Sequence, residues 1–224
     1  MQVANLFRAL TATAFLVTAA LVAAPVSAAT PIVTLSASGD PNTLPGGQSL
    51  IASFNNAATP TAVLLPNFTL TLDGATVGFR EGQAGYSGTL PNNSTNYLTI
   101  PGSASATLFS LKGLTSFSFY MGSPDSYNSV QFIGTGYNQT LNGGQFTGGN
   151  TSQSWNWGTR VNFDFGGAVV NQVILRSSRN SFEVDNFAGS VSAAPEPATW
   201  AMMITGFGAV GAIIRRRRAA LGFA

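Results

Sequence analysis

Between Ala29 and Ala194 the apolar residues come in short runs with a period of two, the strongest constraint on how the chain folds. Leu114 to Met121 shows it best. Phe117 and Phe119 fall on one face, with Ser116, Ser118 and Tyr120 on the other, the pattern of a half-buried strand. Further strands are expected at Pro31 to Ser38, Phe68 to Leu72, Val77 to Arg80, Tyr97 to Ile100 and Ala106 to Leu111. Ser129 to Ile133, Trp155 to Phe165, Gln172 to Ser177 and Ser181 to Val191 complete the set. Clusters of Gly, Asn, Pro and Ser separate these runs, as at Pro41 to Gly47, Pro91 to Asn96 and Gly143 to Thr151. No amphipathic helix is expected in this region. Many short strands between turn signals predict an all-β domain, an antiparallel β-sandwich of jelly-roll type. Its 166 residues suffice for one core.

The two ends of the chain have a different character. Arg8 supplies a positive start, Thr11 to Ala24 is an uncharged run of apolar and small residues, and Val26-Ser27-Ala28 offers small residues at a cleavage site. Residues 1–28 therefore read as a signal peptide removed by signal peptidase after Ala28, with Ala29 as the second choice. At the other end Pro195-Glu196-Pro197 and Trp200 precede an apolar run that closes on Arg215, Arg216, Arg217 and Arg218. Ala198 to Ile214 holds 17 residues without a charge. As a helix it spans roughly 25 Å, the short end of what a bilayer core of about 30 Å accepts. A single transmembrane helix is expected here, with the four arginines as a cytoplasmic stop that fixes its orientation. Pro195 and Pro197 lack amide donors and hold a fixed φ, so their segment is expected to stay extended, outside the following helix and within reach of a protease. Trp200 sits where an interfacial aromatic belongs.

The residues PEPATWAMMITGFGAVGAIIRRRR closely resemble the PEP-CTERM sorting signal of Gram-negative bacteria, in its PEPxxWA variant. The resemblance covers residues 195–224 and implies recognition of Pro195, Glu196, Pro197 and Trp200 by a membrane-embedded exosortase that cleaves near the motif. It also implies a host that makes exopolysaccharide, and transient anchoring in the inner membrane before release to the surface or matrix. Residues 29–194 are then the exported domain. Within it, Phe119 to Asn128 and Phe182 to Phe187 look similar to exosortase-dependent surface proteins with a jelly-roll ectodomain.

Net charge changes once the ends are set aside. The whole chain carries ten basic and eight acidic residues. Between Ala29 and Ala194 there are five basic residues (Arg80, Lys112, Arg160, Arg176, Arg179) and seven acidic ones, 5 − 7 = −2. The basic balance of the chain thus belongs to its tail, and nucleic acid is not an expected partner of the domain. The chain has no histidine and no cysteine. Disulfides, the usual zinc sites, thiol nucleophiles and histidine-assisted hydrolysis are therefore excluded.

Three chemistries remain to be weighed. The Glu183-Val184-Asp185-Asn186 pattern resembles carbohydrate-binding sandwiches in which a late-strand aspartate ligates a structural calcium. Asp40 and Asp185 are the candidate ligands, with backbone carbonyls completing the six to eight oxygens calcium prefers; an exposed carboxylate or a turn cap is the plainer reading. Asp125 and Asp164 are further candidates. For glycan binding, Tyr127 and Tyr137 are expected in exposed loops, and Trp155 and Trp157 share a strand face that either stacks on sugar rings or packs the core. Glycoside hydrolysis needs two placed carboxylates; Asp125, Asp164, Glu183 and Asp185 supply them only nominally, and no catalytic motif accompanies them. The leading expectation is a non-enzymatic surface or matrix protein associated with exopolysaccharide. A calcium-assisted lectin-like module and a matrix glycoside hydrolase are the alternatives.

Overall fold

A computed structural model describes residues 29–36, 39–55, 62–79, 88–151, 157–192 and 197–221. In chain order they form β1 (Ile32–Leu35), β2 (Ser49–Ser53), β3 (Val63–Leu64), β4 (Phe68–Asp73), β5 (Thr76–Phe79), β6 (Tyr97–Ile100) and β7 (Ser105–Met121). There follow β8 (Asn128–Gly134), β9 (Tyr137–Asn142), the single-turn α1 (Gly143–Phe146), β10 (Thr159–Asp164), β11 (Val170–Ser177), β12 (Phe182–Val191) and the terminal α2 (Pro197–Leu221). Every named strand pair is antiparallel.

The long β7 organises the sandwich. Its second half pairs with β10 on one side and β12 on the other, and β1, β2, β3, β5 and β6 extend this front layer. Its first half pairs with β4 and β11, and β8 and β9 complete a five-stranded back layer. The strand turns from one layer to the other at Gly113, whose φ of 78° is left-handed and whose added Cβ would lie 2.3 Å from Val169 Cγ1. A glycine is therefore required at this bend. The same glycine, following Lys112, divides the apolar pattern, so the sequence reads as two strands where the structure has one.

Phenylalanines fill the space between the layers. Phe117 and Phe119 of β7, Phe163 of β10, Phe132 of β8 and Phe182 and Phe187 of β12 are fully buried. Their rings meet edge-on or tilted, with centroids 4.8 Å apart for Phe132–Phe163 and 5.6 Å for Phe119–Phe182. Such pairs add about 0.5–1.5 kcal/mol each beyond the area they bury. α1 adds Phe146, stacked on Phe182 at 6.1 Å. Its start is fixed by a capping box between Asn142 and Gln145.

The outward faces of the two layers are both polar. On the front layer Ser116 and Ser118 stand opposite Asp164 and Asn162. The loop between β1 and β2 crosses this face: Gln48 Nε2 donates to Ser116 Oγ (3.0 Å) and Asn162 Oδ1 (2.5 Å), and Ser118 donates to Gln48 Oε1 (2.6 Å). On the back layer one row across the five strands reads Thr69, Phe109, Gln172, Ile133, Asn138. The next reads Thr71, Thr107, Ile174, Gln131, Thr140, and the third runs from Asp73 through Arg176 to Asn142.

Candidate functional site

The most elaborate polar centre lies under the β1–β2 loop, around a residue the sequence presents only as one charge among five. Arg160 is 1% exposed, the largest fully buried side chain among the described residues. It sits on β10 in register with Tyr120 of β7, which in turn pairs with Asp185 of β12. The alternation that sends Val161 and Phe163 inward leaves Arg160 on the loop side. Its Nη2 donates to Pro41 O (2.5 Å), Nε to Thr43 O (3.0 Å), and Nη1 to Asn186 O (2.8 Å) and Ser118 Oγ (3.1 Å). A bulge between Asp185 and Ala188 presents the Asn186 carbonyl, with Asn186 at φ 47°. Asn186 Nδ2 also donates to Pro41 O (3.1 Å), so β12 and β10 hold the same loop.

Asp40 and Asp185 both lie within the electrostatic reach of this guanidinium. Burial pulls Arg160 down to about 10 against their attraction. Burial likewise pushes the Asp185 carboxyl up to about 6, opposed by the Asn186 N–H (2.7 Å), the Asn93 amide (2.6 Å) and the Arg160 charge. Asp40 is exposed, and it caps its own loop: Asn42 N–H donates to Oδ1 (2.8 Å) and Thr43 Oγ1–H to Oδ2 (2.9 Å), which holds its carboxyl below the usual range. A calcium ion shared by Asp40 and Asp185 would need nearby carbonyls. Those of Pro41, Thr43 and Asn186 already accept from Arg160, and the described residues contain no group of three or more carboxylates suited to a metal. The donor set does not fit calcium; the positive charge between loop and sheet is the chain's own arginine.

The other candidates are scattered. Tyr137 opens β9 instead of lying in a loop and is 4% exposed, packed 6.0 Å from Phe165, with burial raising its hydroxyl to about 12. It borders a cavity of about 560 Å³ with Phe165, Ala168 and Val169. Tyr127 does lie in a loop, half-buried, and its hydroxyl donates to Asn180 O (3.2 Å). Trp157 precedes β10 and packs against the core. Trp155 lies outside the described residues. Of the nominal acids, Asp125, Glu183 and Asp185 are buried, and burial raises all three. Asp164 is exposed at the rim of a polar cavity of about 280 Å³, where it accepts from Gly166 N–H (2.8 Å) beside Gln48, Ser116, Asn162 and Ser190.

At the C-terminus a helix is present as α2, which includes Trp200 and all four arginines and, against expectation, starts at Pro197, a first-turn position where the missing amide costs no helical bond. Trp200 is 59% exposed, and Met202, Ile204, Phe207 and Ile213 are exposed as well. Among the described residues no helix is long and apolar enough to cross a membrane. The uncharged run is short and contains Gly206, Gly208, Gly211 and Thr205 before the arginines begin. Residues 1–28, Pro195 and Glu196 lie outside the described residues.

The PEP-CTERM protein-sorting motif matches residues 193–218, covering the Pro-Glu-Pro segment, Trp200 and the arginines. No curated protein matches the chain. Among solved structures the chain is similar to the catalytic unit of a thermostable GH87 α-1,3-glucanase from Streptomyces thermodiastaticus strain HF3-3, at 13% identity and a TM-score of 0.30. That similarity covers 59% of this chain and 28% of the glucanase chain. The sorting motif implies an exosortase as processing partner, and export with membrane anchoring before processing.

Proposed function

We propose that the chain is the precursor of an exosortase-processed cell-surface or matrix protein, whose β-sandwich is non-enzymatic and associates with exopolysaccharide. The observation that carries this reading is the position of the sorting motif. β12, the last strand of the sandwich, ends at Val191, and the motif match begins at residue 193. Almost nothing separates the folded domain from the signal, so the domain is the cargo. Its polar faces are built mainly from hydroxyl and amide groups, which hydrogen-bond to neutral sugar hydroxyls, and such bonding is little affected by salt. The buried positions of Asp125, Glu183 and Asp185 favour a binding or structural role over hydrolysis, which needs carboxylates reachable by substrate.

The test is the intact mass of the protein recovered from its host's surface. A mature form starting near Ala29 and ending close to Pro197 supports two-ended processing by signal peptidase and exosortase. Recovery of a form retaining Arg218 would refute it. In the Glu196→Ala, Pro197→Ala double variant the precursor is expected to stay in the inner membrane, and normal maturation of that variant would count against the motif as the recognition element.

A further inference from the structure

We infer that the open outer face of the back layer, centred on Phe109, Thr107 and Gln131, is the surface on which a neutral polysaccharide chain lies. This inference rests on the proposed association with exopolysaccharide and assigns it to one side of the sandwich. The two polar faces differ in access. The β1–β2 loop crosses the front face, held down by Arg160 and Gln48, and leaves only the polar cavity of about 280 Å³ beside it. On the back face Thr71, Phe109, Arg176 and Thr140, spread from one edge strand to the other, are exposed.

The chemistry of that face is unusual for a solvated sheet. The three rows contain one acid, Asp73, and one base, Arg176; the other polar positions are Ser, Thr, Asn or Gln. Each such hydroxyl or amide both donates and accepts, as every sugar hydroxyl does, whereas a carboxylate only accepts and a guanidinium only donates. The grid is regular, with strands about 4.8 Å apart and same-face residues about 6.8 Å apart along a strand. It is also pre-ordered: Arg176 Nη1 donates to Gln131 Oε1 (2.8 Å), and Gln131 Nε2 donates to Asn138 Oδ1 (2.9 Å), a chain across three strands. Amides fixed in this way lose little freedom on binding. Phe109, 43% exposed in the row between Thr69 and Gln172, and Leu111, 69% exposed two residues on, offer an apolar platform for the flat face of a sugar ring.

A second copy of the chain fits less well. Homodimer interfaces are about 65% apolar, while the three rows have only Phe109, Ile133 and Ile174 as apolar members. An anionic polymer would meet a single cation, Arg176.

The experiment is native affinity electrophoresis of the detergent-solubilised full chain through gels containing hydroxyethylcellulose, dextran or galactomannan, with alginate as the anionic contrast. Wild type is expected to be retarded by at least one neutral polymer, equally at low salt and at about 0.5 M NaCl. Phe109→Ala and Gln131→Glu, both on the open face, should each weaken retardation about tenfold, the effect of losing about 1.4 kcal/mol, and melt as wild type does. Asn162→Ala, in the front-face cavity, should leave it unchanged. If retardation survives both back-face substitutions and is lost in Asn162→Ala, the surface assignment is overturned and the association with polysaccharide stands. Salt-sensitive retardation by alginate alone overturns the neutral ligand. Absence of retardation in every gel overturns both the face and the polysaccharide association, leaving exosortase processing to the mass measurement.

Discussion

Replacing Arg160 with methionine removes a buried cation while keeping an unbranched side chain of similar length, and it tests whether the arginine fastens loop to sheet. The guanidinium donates to three backbone carbonyls, of Pro41, Thr43 and Asn186, and to Ser118 Oγ. Hydrogen bonds to a charged group contribute about 1.5–3 kcal/mol apiece, but they do not add, because the loop can lift and return its carbonyls to water. Asn186 cannot lift, since it belongs to β12 and the residue is 2% exposed. Asp185, 0% exposed, would also lose its nearest compensating charge. Breaking one side of a buried charge arrangement costs about 3–5 kcal/mol, and at about 2–4 °C per kcal/mol for a domain of this size the melting temperature should fall on the order of 10 °C. The deficit should depend on pH. Without Arg160 the Asp185 carboxyl rises beyond about 6, so more of it is protonated near neutrality and the variant recovers stability on acidification. Urea denaturation of wild type and Arg160→Met at pH 5 and pH 8 measures both effects. A loss under about 1 kcal/mol that is equal at the two pH values would refute a fastening role, being no more than an ordinary substitution costs.

The wild type should itself be more stable in mild acid. Asp185 titrates from 3.8 in the unfolded chain to about 6 in the fold, so the native state binds the extra proton between those values and stability falls as pH rises through that window. At about 1.36 kcal/mol per unit, Asp185 alone accounts for up to ~3 kcal/mol, and Glu183 and Asp125 shift in the same direction; a melting temperature rising from pH 4 to pH 6 would contradict this. Gly143→Ala should destabilise by more than the usual ~1–3 kcal/mol of overpacking, because its Cβ would lie 1.7 Å from the Asp125 carbonyl oxygen; circular dichroism melts decide it. Chelation by EDTA should leave the melting temperature unchanged, since Arg160 holds the carbonyls calcium would require. A drop of several degrees, restored by calcium, would show that those oxygens can serve an ion after all.

Legibility of the fold followed the apolar contrast of each segment. Tyr97 to Ile100 is as expected, and the β10, β11 and β12 strands fall inside or within two residues of the runs that announced them. β9 was not legible, because Tyr137-Asn138-Gln139-Thr140-Leu141-Asn142 has only two apolar residues, four apart, and follows a Gly-Thr-Gly turn. Tyr137 is accordingly expected in an exposed loop, although hairpin pairing with β8 buries it. β2 was missed for the opposite reason: Leu50, Ile51 and Ala52 are consecutive and show no alternation. The polar centre was half legible. Asp40 and Asp185 are expected together as ligands of one calcium ion, and in the fold the charge of Arg160 acts on both. Spacing could not reveal that Arg160 is that cation, because its partners are carbonyls, which every residue carries, brought together by a bulge and a loop more than a hundred residues away in sequence.

A buried arginine beneath a loop is a costly way to close a sheet face, and an apolar loop would do it without a desolvated charge. Its advantage is specificity. The planar fork donates in fixed directions, so the loop can seat over the front face in one register only. A loop fastened across one face and none across the other makes the two sides of the sandwich unlike. The sorting motif follows β12, which belongs to the front layer. The back layer, with Phe109 and its hydroxyl and amide rows, has no such loop fastened across it among the described residues.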